Sequence, residues 1–274
     1  MLHKLPNLRD LRVVIERGAS LSSALLPNLT ELEIICDGGS DWPRLFYGAT
    51  LGKLESVSFF DQSEEIGDFL ETFERVALSS SVQNTLSTFF IRRLCSWNPN
   101  LSSLLRFRQL VDLDINFSCD DDCSSRVDDN MIIDLSRAMP KLQSLKLGAE
   151  PCELGRGVTA KGLVALALHC PDLQHLCIHF QVASLSAPPA SPGITRDAEP
   201  TGSWTDHDFV EVVVGGIVVS EESVLVVALT LLRIFPQISI IDYEDEGWDK
   251  VEDAIRLSRK IVDCSSKHHP FNTP

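Results

Sequence analysis

Two stretches of this chain carry side chains that could do chemistry. Residues 169–180 read HCPDLQHLCIHF and gather His169, Cys170, His175, Cys177 and His179. On a strand, alternate residues share a face, so His175, Cys177 and His179 would point the same way as a possible ligand set. Residues 118–130 read SCDDDCSSRVDDN, with two cysteines and five aspartates. Hard cations take clustered carboxylate oxygens, but the EF-hand needs a glycine at its turn and a closing glutamate, and both are missing here. Cys119 and Cys123 are four apart, unlike the usual zinc pair. An acidic loop capping the next helix is the simpler expectation. The sequence has no GxSxG, HExxH, GxGxxG or GxxxxGK[ST]. The expectation is a protein that is not an enzyme, with no catalytic residues, no metal and no cofactor. The alternative is a metal-dependent α/β protein built on the 169–179 cluster.

The elements that would hold these side chains come from a recurring phrase. LPNLRDLRV (5–13), LPNLTELEI (26–34), LGKLESVSF (51–59), FRQLVDLDI (107–115), MPKLQSLKL (139–147), CPDLQHLCI (170–178) and FPQISIIDY (235–243) share one pattern, with weaker copies at 83–91 and 206–214. The fourth position falls at Leu8, Leu29, Leu54, Leu86, Leu110, Leu142, Leu173, Phe209 and Ile238, in steps of 21, 25, 32, 24, 32, 31, 36 and 29 residues. Each phrase ends in the period-2 alternation of a half-buried strand, as in Leu145 and Leu147. The proline stands just ahead, where its missing N–H breaks no ladder bond. Helical return segments are expected at 64–78, at 128–139 behind an aspartate cap, at 159–169 behind a threonine, and at 220–235 behind Ser220 and two glutamates. Strand and return alternate, so parallel strands joined by crossovers follow. One unit cannot bury its own apolar side, whereas stacked units can.

Composition agrees with a packed domain: 274 residues, 44% hydrophobic and 23% charged. Thirty-nine acidic against 24 basic residues give a net charge of −15. Phosphate backbones and anionic headgroups attract Lys and Arg, so neither nucleic acid nor membrane is an expected partner. The most apolar stretch, 209–235, is broken by Glu211, Glu221 and Glu222. A bilayer core needs roughly 20 apolar residues, so a strand, a turn and a buried helix are expected there instead. Eight cysteines without a CxxC pair, behind a start that is no signal peptide, read as free thiols in a cytoplasmic or nuclear protein.

LPNLRDL, MPKLQSLKL and HCPDLQHLCIHF resemble the leucine-rich repeats of F-box proteins. GVTAKGLVALALHCPDLQHLCI (157–178) resembles their cysteine-type repeat. The tail, EESVLVVALTLLRIFPQISIIDYEDEGWDKVEDAI, resembles the final repeat of the fungal type. The resemblance implies an α/β leucine-rich-repeat solenoid, a horseshoe with parallel strands on the concave face and helices on the convex face. It also implies a substrate-binding role in an SCF-type ubiquitin ligase. In that family an N-terminal F-box binds a Skp1-type adaptor. Here the first repeat starts at Leu5, so the adaptor is an expected partner only if an F-box lies upstream. Without one, a stand-alone repeat scaffold is the alternative.

The organisation expected is a solenoid over 1–245, a mobile insertion at 184–203, and a C-terminal capping helix and tail over 246–274. The capping helix, at 247–262, should bury Trp248, Val251, Ile255, Leu257 and Ile261. The candidate partner-binding residues are the polar strand positions of the concave face: Arg9, Arg12, Glu31, Glu33, Glu55, Asp112, Asp114, Gln143, Lys146, Gln174 and His175. The five acidic ones, Glu31, Glu33, Glu55, Asp112 and Asp114, suit a protein partner, possibly a basic one.

Overall fold

The structure, a computed structural model, describes residues 7–15, 25–36, 50–61, 73, 81–93, 101–117, 127–148, 157–178, 181–186, 210–213, 219–241 and 247–267. The architecture is α/β. Nine parallel strands form one open sheet, and they stand in the order in which the chain makes them: β1 (Asp10–Ile15), β3 (Glu31–Cys36), β5 (Ser56–Asp61), β6 (Thr88–Arg93), β7 (Asp112–Phe117), β8 (Ser144–Leu147), β9 (His175–Ile178), β10 (Val210–Val213) and β11 (Ile238–Ile241). Two short strands, β2 (Leu25–Leu26) and β4 (Thr50–Leu51), pair separately.

The recurring phrase is a turn followed by a strand. The N–H groups of Leu29, Leu110, Leu142, Leu173 and Ile238 donate to the carbonyls of Leu26, Phe107, Met139, Cys170 and Phe235, at 3.1–3.3 Å. In four of these five turns the second residue is proline: Pro27, Pro140, Pro171 and Pro236. Its fixed φ suits that turn position. The turn drops Leu29, Leu54, Leu86, Leu110, Leu142 and Leu173 into the core, each at most 1% exposed. The strand then starts. The carbonyls of Arg9, Thr30, Glu55, Ser87, Val111 and Gln143 each accept from two successive N–H groups of the next strand, at 2.7–3.0 Å.

Pairing is in register, so Leu11, Leu32, Val57, Phe89, Leu113, Leu145, Leu176 and Val212 lie side by side. They face the connecting segments and form one continuous core with them. The weak copies at 83–91 and 206–214 take their places as β6 and β10. The last copy slips by one residue: Val212 pairs with Ile240, not with the Ile241 of the sequence alignment. Ile238 and Ile240 are the buried pair there, because a period-2 strand chooses its register by which residues it can bury.

The crossovers differ in kind. Ser81–Asn84 and Leu101–Arg106 are 3-10 turns. Later ones are α-helices: α1 (Asp129–Ala138), α2 (Ala160–His169), α3 (Val182–Ser186) and α4 (Val224–Ile234), followed by the terminal α5 (Trp248–Lys267). Asp128 caps α1 by accepting from Met131 N at 2.9 Å. Thr159 caps α2 by accepting from Lys161 N. The helix expected at 220–235 begins only at Val224, because Ser220–Ser223 is spent on a turn, and its cap residue Ser223 makes no side-chain cap bond. It is also not fully buried: Val227, Ala228, Leu231 and Ile234 face inward, while Leu225, Val226 and Leu229 are exposed.

The helix expected at 64–78 lies outside the described residues except for Phe73, which is buried against Phe59, Phe89 and Phe107 with ring centroids 5.4–6.2 Å away. The insertion expected from 184 starts later, since α3 runs to Ser186 with Leu185 buried, and its remainder lies outside the described residues. So do the acidic stretch 118–126 and the tail from 268.

Two polar contacts tie successive units together. Asp129, in the first turn of α1, accepts from Thr159 N at 2.8 Å, Thr159 Oγ1 at 2.6 Å and Gly162 N at 3.1 Å. It therefore helps satisfy the start of α2 from the preceding helix, sharing Gly162 N with the Thr159 carbonyl at 3.1 Å. A Cβ at Gly162 would collide with Val158 Cγ1 and come within 2.8 Å of Asp129 Oδ1, so the close approach needs glycine. At the far end, Arg259 of α5 donates to the carbonyls of Pro236 at 3.0 Å and Ile238 at 2.6 Å. Ile238 is the register equivalent of the carbonyls that elsewhere accept the next strand. The guanidinium stands where a tenth strand would have put its N–H groups, and burial lowers its pKa.

In α5, Trp248, Val251 and Ile255 are buried as expected, but Leu257 and Ile261 are about 60% exposed. Two residues beyond Ile255 is about 200° around a helix, so Leu257 belongs to the opposite side.

Asp129→Ala removes the acceptor of the Thr159 N–H and one of the two acceptors of Gly162 N and should cost about 1–3 kcal/mol in urea unfolding. Gly162→Ala should cost less in a Val158→Ala background than alone, because Val158 Cγ1 is the atom the new Cβ meets first. Arg259→Met should expose the β11 edge, read as faster amide exchange across 238–241 with β3–β7 unchanged.

Candidate functional site

The side of the sheet turned away from the helices carries every strand residue in the candidate set. Three outward rows cross it, each two residues along from the last and so roughly 6.6 Å apart. The first row reads Asp10, Glu31, Ser56, Thr88, Asp112, Ser144, His175, Glu211 and Ser239. It holds four carboxylates and neither Lys nor Arg. The second row runs Arg12, Glu33, Ser58, Phe90, Asp114, Lys146 and Cys177. The third row, where the strands are long enough, runs Val14, Ile35, Phe60, Arg92 and Asn116.

Arg12, Glu31, Glu33, Asp112, Asp114, Lys146 and His175 are thus brought onto one surface. Arg9, Glu55, Gln143 and Gln174 are not strand residues, as the sequence reading had them. They stand one residue earlier, on the row whose carbonyls begin the ladder. Their side chains line the rim at the strand starts, and all four are exposed.

Among the described residues two ion pairs cross the strands, Arg12 Nε to Glu33 Oε1 at 3.3 Å and Lys146 Nζ to Asp114 Oδ2 at 3.8 Å, and His175 Nδ1 lies within hydrogen-bond distance of Glu211 Oε2 at 2.8 Å. Solvent-facing pairs of this kind contribute about 0–1 kcal/mol each. Their effect is on the charge left over. Asp10 and Glu31 are direct register partners of like sign, an arrangement that costs stability. They and Asp112 make no ion pair among the described residues. Asp114 is pushed above the ordinary carboxylate value by partial burial, with Lys146 and Arg92 pulling it back.

The apolar part of this surface was missed by the sequence reading. Phe60 and Phe90 are half-buried and touch, with ring centroids 5.2 Å apart and planes tilted by 44°. Ile35 lies beside Phe60, and Val14 at the end of the row is 66% exposed. The signal was in the doublets Phe59-Phe60 and Phe89-Phe90. On an alternating strand one member of each must face out, and burial of Phe59 and Phe89 assigns the outward places to Phe60 and Phe90.

Of the His/Cys cluster, His175 and Cys177 share the outward side of β9. Cys170 is buried on the core side, where its thiol donates to the carbonyls of Ser136 and Met139, and burial pushes it up to about 12. His175 faces the opposite side and holds Glu211. His169 is kept below its ordinary value by burial, then by the nearby Arg137 charge. His179 lies outside the described residues. Among the described residues no three His, Cys, Asp or Glu side chains gather as metal ligands. No helix among them is long and apolar enough to cross a membrane.

No family model matches the chain, and no curated protein matches it.

Asp114 gives a pH test. A carboxyl that binds its proton more tightly when folded makes stability fall as pH rises from its unfolded value, about 3.9, through the raised one. Asp114→Asn should flatten that part of the stability–pH curve, and Lys146→Met should steepen it, in urea titrations from about pH 4 to neutrality.

Proposed function

We propose that the protein is a leucine-rich-repeat scaffold that recognises another protein through the uncovered side of its sheet, and that it is the substrate-binding region of an F-box-type ubiquitin ligase subunit. The observation that carries the scaffold reading is the nine-strand, in-register parallel sheet laid down in chain order. Such an array repeats one unit and leaves one broad side-chain surface free of the described helices. Repeat arrays use surfaces of that kind for binding. The described residues on it suit recognition: carboxylates, paired cations and two exposed-side phenylalanines.

The ligase role rests on the resemblance of the phrases LPNLRDL, MPKLQSLKL and HCPDLQHLCIHF and of the 221–255 tail. A protein that only scaffolds, without a ligase, is the alternative within the same reading.

The test is a paired affinity purification from cells making the tagged chain from its own full transcript. One arm is wild type and the other carries Phe60→Glu with Glu31→Lys, both outward-facing. Proteins recovered by wild type and lost in the variant support recognition through this surface. Identical recoveries from both overturn it. Co-purification of a cullin–RING adaptor supports the ligase role, and its absence beside surface-dependent partners leaves the plain scaffold.

A further inference from the structure

The outward rows are not uniform, and their arrangement narrows the partner. Across β1, β3, β5, β6 and β7 the first row offers Asp10, Glu31 and Asp112, and the third offers Val14, Ile35 and Phe60 on β1, β3 and β5 and then Arg92 and Asn116 on β6 and β7, with Phe90 of the second row leaning against Phe60. An anionic band therefore crosses the five strands, and beside it an apolar band covers β1, β3, β5 and, through Phe90, β6. Four residues of strand separate them, roughly 13 Å. A helix with its side chains is about 10–12 Å across, so one lying perpendicular to the strands would cover both bands at once. Five strands span four inter-strand steps, about 19 Å, which is the length of about 13 helical residues.

Charge selects the sign. The first row has no Lys or Arg, and Asp10 beside Glu31 is a like-charge pair that a cation would relieve. On the second row Arg12 is already taken up by Glu33, and Lys146 by Asp114; Arg92, at the β6 end of the third row, stands in the field of Asp114. An extended peptide could reach one band or the other along its length. To meet both while crossing five strands it would need side chains splayed to both of its edges.

We propose that this half of the surface binds a basic amphipathic helix of a partner protein, its lysine or arginine flank over Asp10, Glu31 and Asp112 and its apolar stripe over Val14, Ile35, Phe60 and Phe90. The inference rests on the scaffold reading and specifies its ligand. Fluorescence anisotropy with the full chain tests it. The probe is a fluorescein-labelled 14-residue peptide of Ala, Leu and Lys, with the leucines on one helical stripe and the lysines on the adjoining flank. The expected result is saturable binding that weakens by about tenfold or more in Phe60→Ala/Phe90→Ala, as for loss of central aromatic contacts. Glu31→Gln/Asp112→Asn should weaken it and reduce its salt dependence. Leu225→Ala/Leu229→Ala, on the helix side, should leave it unchanged.

Both surface pairs are solvent-facing, and circular dichroism checks each variant's fold. Should the phenylalanine pair unfold the chain, the carboxamide pair and the scrambled peptide decide. Equal binding of a scrambled peptide of the same composition overturns the proposal, as does tighter binding of a proline-interrupted extended version. Indifference to both surface pairs overturns it too. If no peptide binds while the paired purification still loses partners in its variant, the helix is wrong and the scaffold reading stands.

Discussion

The whole structure depends on equivalent residues of successive strands lying beside one another. At each strand start one carbonyl accepts two consecutive N–H groups from the next strand, from Arg9 through Gln143. That double acceptance fixes where each new strand begins. Once it is fixed, period-2 alternation sends Leu11, Leu32, Val57, Phe89, Leu113, Leu145 and Leu176 to the same side, and the residues between them to the other. A slip of one residue would exchange core for surface along a whole strand. The tight turns ahead of the strands, four with proline at the second position, set the phase. The buried leucines beneath them hold it, each such side chain contributing roughly 2–5 kcal/mol against truncation.

An array of this sort has to end somewhere. Exposed strand edges invite pairing with other chains. At β11 the edge is closed by a side chain: Arg259 gives its guanidinium to the carbonyls of Pro236 and Ile238 while Trp248, Val251 and Ile255 seat α5 on the core. Within the array, Asp129 plays a related part by completing the start of the following helix. These contacts make neighbouring units depend on each other, although most of the core contacts run only between adjacent rungs.

Much of the fold was legible because apolar spacing and caps are local signals. The leucines at the fourth position, the aspartate and threonine caps of α1 and α2, and the strand in the weak copy at 206–214 all could be read that way. What escaped reading depends on neighbours in space. The last copy slipped because Phe235, Ile238 and Ile240 offer a better buried set than the aligned Ile241. Leu257 and Ile261 look apolar enough for a core, but the helix turns them outward. Asp129 looked like an ordinary first-turn acid, and its partner Gly162 lies 33 residues on. The surface was half legible. Charged residues on the strands announced themselves, whereas Phe60 and Phe90 hid inside doublets whose first members are core. Of the His/Cys cluster, alternation placed His175 and Cys177 on one side of the sheet as the spacing implies, with Cys170 in the core and His179 outside the described residues.

The central claim is that the uncovered side of the sheet is where this protein meets its partner. Carbodiimide labelling of carboxylates, read by mass spectrometry with and without the captured partner, measures that directly. The account predicts protection of Glu31, Glu33 and Asp112 on the sheet, with Glu221 and Asp253 on the helix side labelled as in the free protein. Protection of Glu221 and Asp253 with Glu31 and Asp112 left reactive would contradict it and move the binding surface to the helices.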